Sequence, residues 1–542
     1  MKKERIKERA QSVVLPCIIF AAVTGMVTGA IVFAFRVISE GVIEISHHLY
    51  ALAHEKPYFI PILIAGVVLV AWLVSLCLTY SPHSRGGGIP TAVALMRGLI
   101  TFHWLRNIIF VFTSALLSYL CGIPLGNDEG PAVQMGAAIG SGTTHIFGKK
   151  HMAWERYLMT GGATAGFATA TCAPVTAVLF GLEEGHRRFS PLLIMTCVSS
   201  VLAGMGTLEL FCHIFGKSSA LFDFVVTVRL PLSKIWIMLP LGLACGVFAY
   251  LFGELTHALR GLMHRHLKRL HPFFKVAPVF AVIAIVGCVY YEAIGTGHHL
   301  IEALLHHRMA WYAALMLLAL RALLVILSND VGATGGLFTP ILSFGALIGS
   351  ALAEAVIALG ILDESYLMLM VVVGMVSFFA AAVRTPLTAL AFAVEALSGF
   401  GNLLPILLAV LVAYAIVEVV EANSINEIAM EREIHNERRG QTRHVVDVTV
   451  EAMHGCFAIG KPPRDILWPP SCTVLSVRQD NDKHFYTGGP IVEGDVLRLN
   501  FTTYDPVRTA RELCAILGEQ EIYDDDVIHH EVHETRPLDE LF

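Results

Sequence analysis

The chain has 542 residues, 55% of them hydrophobic and 15% charged, with a formal net charge of −6 and a mean hydropathy of +0.65. A soluble domain carries about 25% charged residues, so this composition excludes an ordinary water-soluble fold and points to lipid as the main solvent. The small net charge comes without a basic cluster, which speaks against a nucleic-acid partner.

The chain opens on "MKKERIKERAQ", a basic stretch with no cleavage signal before a long apolar run. The positive-inside rule reads this as an uncleaved cytoplasmic N-terminus. Apolar stretches then recur at 10–35, 58–80, 157–182, 189–215, 235–252, 276–291, 309–328, 332–362 and 403–420. A helix needs about 20 mostly apolar residues to span the hydrocarbon core. Several of these stretches have awkward lengths or are rich in Gly and Pro, so tilted, broken or re-entrant helices are expected and the span count stays open. Non-helical backbone at membrane depth requires protein or a water-filled cavity around it. The 11 cysteines form no C-x-x-C pair and mostly sit in apolar runs, as small buried hydrophobes do. Arg321, inside "LMLLALRALLVIL", is either a buried structural cation or a bias on the potential along a pore.

The character changes after residue 421. "EANSINEIAMEREIHNERRGQTRH" is polar, and its first half fits a short helix. Beyond it, "HVVDVTV" and "CTVLSV" are β-rich, and "GGPIVEGDVLRLNF" places a Gly-Asp turn before an alternating strand. In "YDPVRTARELCAIL" Asp505 is a helix N-cap, Pro506 the first helical residue and Gly518 the stop. The expected architecture is an all-α polytopic membrane domain over residues 1–436, followed by a small cytosolic α+β domain over 437–542.

The membrane part repeats internally. "PAVQMGAAIGS" from Pro131 and "PILSFGALIGS" from Pro340 share P-x4-G-A-x-I-G-S, an offset of 209. Residues 162–183 and 374–395 then align without gaps at an offset of 212, matching Gly162/Gly374, Phe167/Phe379, Pro174/Pro386, Thr176/Thr388, Phe180/Phe392 and Glu183/Glu395. Paired halves of this kind mark transporters whose site lies at the repeat interface near the midplane, built from broken helices.

Three Gly-Pro segments interrupt the apolar text: "GGGIP" (Gly86, Gly87, Gly88, Ile89, Pro90), "GNDEGP" (ending Glu129, Gly130, Pro131) and "GGLFTP" (with Gly336, Leu337, Phe338 and Pro340). Pro pre-sets a first helical turn and Gly allows close backbone approach. A helix start presents free N–H groups and a partial positive charge. Three converging starts would bind an anion without a formal cation, weakly enough to release it. Carboxylates beside such starts are then expected to act. Glu129 can occupy an anion site itself and leave it when protonated, since ionisable residues within a membrane are functional candidates. Glu183 has a mate in Glu395 and reads as architectural. Glu184 aligns with Ala396, and a residue present in one half only is the better candidate for a specific role.

These segments resemble the CLC family of chloride channels and proton/chloride exchangers. The family pattern runs G-S-G-I-P, then G-(K/R)-E-G-P with x-V-Q-x-G, then G-x-F-x-P; here the order is "GGGIP", "GNDEGPAVQMG" and "GLFTP". The resemblance covers residues 12 to about 430. It implies a homodimer with one anion pathway per subunit and two inverted-topology repeats in each. By position Glu129 looks like the external gating glutamate, Glu184 like the internal proton-transfer glutamate, and the backbone amides of Leu337 and Phe338 like anion ligands. Three departures stand out. Gly87 replaces an anion-contacting serine. Asn426 falls where the family has an anion-contacting tyrosine. "LGNDEGP" holds one residue more than the family's "LGREGP", and Asp128 takes the place of a basic residue, which would make the outer mouth less favourable to anions. The tail resembles the C-terminal subdomain of RCK (TrkA-C) potassium-conductance regulators on "ILWPPSCTVLSVRQ" and "IVEGDVLRL". That implies a regulatory module, often dimeric, able to take a small-molecule ligand.

The expectation is transmembrane anion transport: proton-coupled chloride antiport in the cell membrane, with both termini cytoplasmic and no cofactor or metal. The alternatives are a passive voltage- or pH-gated anion channel and an exchanger for another anion such as fluoride or nitrate. An enzyme is not expected, because no H-E-x-x-H, nucleophile elbow or P-loop occurs. A pure sensor would move no ions.

Overall fold

The computed structural model describes residues 14–147, 149–219, 221, 222, 224, 226, 228–267, 270–397, 399–438, 441–478, 489–519 and 527–531. The basic N-terminal stretch and Gly488 of the "GGPIVEGDVLRLNF" segment lie outside them.

The first half contains α1 (Leu15–Glu55), α2 (Ile60–Tyr80), α3 (Ile89–Met96), α4 (Trp104–Leu120), α5 (Glu129–Phe147), α6 (Glu155–Thr171), α7 (Pro174–Phe180) and α8 (Pro191–Phe215). The second contains α9 (Met238–Leu267), α10 (Pro272–Val289), α11 (His298–His306), α12 (Trp311–Val331), α13 (Phe338–Ala358), α14 (Leu367–Val383), α15 (Pro386–Glu395), α16 (Leu403–Val419) and α17 (Ile425–Arg438). Among the described residues, nine helices are long and apolar enough to cross a bilayer. The 41 residues of α1, at about 1.5 Å each, exceed the hydrocarbon thickness, so this helix tilts or projects.

The apolar stretch 157–182 is not one span. Cys172 takes a left-handed conformation (φ 54°), Pro174 restarts the helix as α7, and a π-helical turn over Gly181–His186 follows. Its repeat mate breaks in the same way: Arg384 has φ 63° and Pro386 starts α15. A proline cannot donate to the turn before it, so both halves stop and restart at matched positions. In these halves seven helices lie outside the nine expected stretches: α3, α4, α5, α11, α14, α15 and α17. The text of α14 is apolar on every face because every face is packed: all but one of its residues are buried.

Small residues bring the helices together within each half. A Cβ on Gly136 would lie 2.1 Å from the Gly162 carbonyl oxygen, and one on Gly345 would lie 2.4 Å from that of Gly374. Likewise Gly140 abuts Leu158 O at 2.2 Å and Gly349 abuts Met370 O at 2.4 Å. Each of these two α5–α6 contacts thus recurs in α13–α14, which is how sequence mates become structural mates. Between the halves, Glu183 accepts from Leu387 N (3.2 Å), Thr388 N (2.8 Å) and Thr388 Oγ1 (2.7 Å) at the start of α15. Glu395 accepts from Val175 N (2.9 Å), Thr176 N (2.7 Å) and Thr176 Oγ1 (2.6 Å) at the start of α7. End meets start in both directions, so α7 and α15 run antiparallel, as inverted repeats require. Arg321 is fully buried and donates to the carbonyls of Glu292 (2.9 Å), Ile294 (2.9 Å) and Gly295 (3.1 Å). It fastens the turn before α11, which is the structural one of its two readings.

The tail holds β1 (His444–Glu451), β2 (Thr473–Arg478), β3 (Val496–Thr503), α18 (Pro506–Leu517) and β4 (Val527–Glu531). The sheet order is β2-β3-β1-β4, with every pairing antiparallel. Asp505 caps α18 by accepting from Arg508 N at 3.0 Å, and Gly518 ends it with φ +100°, as expected. The strand alternation builds a separate core from Val446, Val448, Leu497, Leu499, Phe501, Leu513 and Ile516. Leu467 and Phe457 reach from this region into a cluster with Trp154, Tyr157, Leu158 and Leu182.

Candidate functional site

The three Gly-Pro segments meet. Gly88 and Gly86 have φ of +74° and +80°, open to glycine and strained for other residues. A Cβ on Gly88 would lie 2.3 Å from Gly130 O, and one on Gly130 would lie 2.4 Å from Gly87 O and 2.6 Å from Gly336 Cα. Gly126 and Gly336 form an isolated antiparallel bridge, with Gly336 N donating to Gly126 O at 3.1 Å and Gly126 N to Gly336 O. The starts of α3, α5 and α13 therefore converge on one point between the repeats, with Pro90, Pro131 and Pro340 in their first turns.

Beside that point lies a small cavity lined by Ile89, Phe167, Phe180, Leu337, Phe338, Ile341, Phe379, Val383 and Asn426. Four of the expected site residues are in this wall, and Gly86, Gly87, Gly88 and Gly336 lie in the backbone behind it. The phenylalanines are the unexpected part. Phe167 stacks on Phe180 with centroids 4.8 Å apart, and Phe338 stands edge-to-face with Phe167 (5.3 Å) and Phe379 (5.0 Å). Their signal was in the sequence, as the repeat-matched pairs Phe167/Phe379 and Phe180/Phe392. Gly87 also has a local reason: a Cβ there would be 3.1 Å from Leu337 Cγ, so the leucine fills space that a serine would need.

The two singled-out carboxylates are both buried, and each is bonded to a residue in or next to the cavity wall. Glu129 Oε1 accepts from Thr339 Oγ1 at 2.7 Å, which ties the first turn of α5 to the first turn of α13. Among the described residues Glu129 Oε2 has no hydrogen-bond partner. Glu184, in the π-helical turn, accepts from Asn426 Nδ2 at 3.1 Å. Asn426 is thus both cavity wall and partner of Glu184, a link across 242 residues that no local pattern reveals.

Glu184 is also held through its backbone. Arg97, at the end of α3, donates to Glu184 O and Gly185 O, each at 2.8 Å. Arg156 donates to Arg97 O at 2.6 Å, to Met96 O at 3.2 Å and to Trp468 O in the tail. Sequence reading passed over both arginines and Thr339.

Asp128 is 3% exposed and accepts from Ser39 Oγ of α1 at 2.7 Å, so it is packed under α1. Next to it, Asn127 O accepts from Tyr119 OH at 2.6 Å.

A family model described as the voltage gated chloride channel matches residues 66–418, well over half of the chain. The chain belongs to this CLC family. Solved structures agree. A slow cyanobacterial Cl−/H+ antiporter superposes with TM-score 0.69 at 26% identity, over 78% of this chain and 99% of that one. A CLC-type fluoride/proton antiporter gives 0.61 at 22% identity, over 74% and 95%. A eukaryotic CLC transporter gives 0.64 at 20%, over 77% and 74%. With this membership and its apolar helices, the CLC chain described here is a multi-pass membrane protein.

Proposed function

We propose that this CLC protein exchanges chloride for protons across the cell membrane. Anions pass the meeting point of α3, α5 and α13, held by helix-start N–H groups such as those of Leu337 and Phe338. Glu129 is the external gate: ionised, it competes with the anion, and protonated, it withdraws. Glu184 passes the proton to the cytoplasmic side, where both termini lie. The observation that carries the reading is the placement of two buried carboxyls at the cavity, each bonded to a residue in or next to its wall (Thr339 beside Phe338, and Asn426). A pH-gated passive pore has a use for Glu129 alone, whereas exchange has a use for both carboxyls. The protein acts as a homodimer, the family's assembly, and is no enzyme. The tail from about residue 437 serves as an RCK-like regulatory domain, open to a small ligand.

Purified protein in liposomes under opposed chloride and proton gradients tests this. An exchanger drives protons uphill when chloride runs down, and Glu129→Ala stops proton movement while anion flux continues. Proton uptake that survives Glu129→Ala removes the role given to Glu129, and a reversal potential set by chloride alone makes the protein a channel. A second reading, exchange of a different anion such as fluoride or nitrate, draws on the near-absence of polar side chains in the cavity wall. Competition assays with those anions separate the two.

A further inference from the structure

We infer that the Asn426 amide couples anion occupancy of the cavity to the protonation of Glu184. The inference rests on the reading of this cavity as the anion site. Asn426 is the only polar side chain among the nine residues that line it, and its Nδ2 lies 3.1 Å from Glu184 Oε1. Asn426 is 5% exposed and Glu184 3%, so neither bond partner is readily replaced by bulk water.

An ionised carboxylate only accepts hydrogen bonds, whereas a protonated carboxyl has one O–H to donate. Ionised Glu184 therefore holds the amide by its NH2 group. The amide oxygen is then left for the cavity side, where its lone pairs oppose an anion. When Glu184 takes a proton, its O–H needs an acceptor, and the amide oxygen is the one at hand. A half-turn about the Cβ–Cγ bond supplies it and swings the NH2 group toward the cavity. The rest of the wall is Ile89, Leu337, Ile341, Val383 and four phenylalanines, so this one turn changes the polar side-chain lining from acceptor to donor. A hydroxyl carries donor and acceptor on one atom, whereas an amide holds them at opposite ends and can serve two sites in opposite senses. Proton and anion thus promote each other's binding, and the linkage is reciprocal.

The other charged groups around Glu184 are already engaged. Arg97 is bound to the backbone oxygens of Glu184 and Gly185, Arg187 pairs with Glu427 at 2.5 Å, and His186 Nε2 lies 2.7 Å from Thr160 Oγ1. None of these lines the cavity, so Asn426 is the direct route between it and Glu184.

The test is calorimetric titration of chloride into the purified full-length protein at a series of pH values, in a Glu129→Gln background that removes the gate's own competition with the anion, and it needs no transport. With Glu129 so replaced and Asn426 intact, chloride should bind about tenfold more tightly once Glu184 is protonated. Asn426→Leu, which keeps the shape and removes both polar ends, should flatten that dependence to within about twofold, and Asn426→Thr, with a single hydroxyl, should do the same. Glu184→Gln should also flatten it, with no further change in the double variant. Full pH dependence in Asn426→Leu or in Asn426→Thr overturns the inference. Chloride binding absent from that background with Asn426 intact overturns the anion-site reading as well. Binding with pH dependence there, beside a wild type that moves no protons, overturns only the proposed exchange.

Discussion

The two repeats of this CLC protein agree where they build and differ where they act. Glycines that let helices touch, prolines that restart them and the glutamates that cap α7 and α15 occupy matched positions in both halves. At the two positions proposed to move protons the halves part. Glu129 aligns with Phe338 at the offset of 209, and Glu184 with Ala396 at the offset of 212. One half supplies ionisable groups, and the other answers with apolar ones. Duplication alone would have produced two equivalent half-sites. The divergence of a few side chains gives the pathway two unlike ends.

The largest expected effect tests the asymmetry. Glu184→Ala should abolish chloride-driven proton uptake in liposomes, and Ala396→Glu should neither add nor restore it. Restoration by Ala396→Glu in the Glu184→Ala background would mean that the two positions are interchangeable. Next come the shared packing glycines. Gly136→Ala and Gly345→Ala each drive a methyl group into a facing carbonyl, and each should cost about 1–3 kcal/mol. Matched losses in thermal unfolding would sharpen the comparison, whereas a harmless change in one half would break it. The reciprocal caps follow, since Glu183→Ala and Glu395→Ala should each cost about 1 kcal/mol by leaving helix-start N–H groups unmet. The smallest effect concerns Thr339. Thr339→Ala removes one bond that holds Glu129 in its buried pose, worth about 1 kcal/mol. Anion turnover should rise by up to about fivefold, read as chloride efflux, and an unchanged rate would show that this pose does not limit passage.

Much of this was legible in the text because it is local or periodic. Pro131 and Pro340, the caps Glu183 and Glu395, the gate candidate Glu129 and the one-sided Glu184 all stand in short motifs or in the repeat. The tail's α18 was legible from its cap and stop. What escaped detection depends on side chains brought together from distant segments: Ser39 on Asp128, Thr339 on Glu129, and Arg156 joining α3 to the tail. Asn426 was placed at the anion site by alignment, but its bond to Glu184 belongs to no pattern, because an asparagine in a polar linker looks the same whether or not it faces a cavity. The burial of Asp128 under α1 is hidden for the same reason, since nothing local tells which helix covers a loop carboxylate.

The docking of the tail carries one more consequence. Among the described residues, several of its polar contacts with α6 and the segment before α8 use the tail's main-chain atoms: Tyr157 OH donates to Asp465 O (3.1 Å) and accepts from Leu467 N (3.0 Å), Ser190 Oγ donates to Asp465 O (3.0 Å), and Arg156 donates to Trp468 O. Such a socket reads the path of a backbone and little of its spelling. Given apolar side chains at the positions of Leu467 and Phe457 and a helix to pack where α18 meets residues 149–154, a different module with the same turn could plug into it. The membrane part is in that sense a chassis with a standard connector, and evolution is free to change the instrument attached to it without rewiring the glutamate beneath.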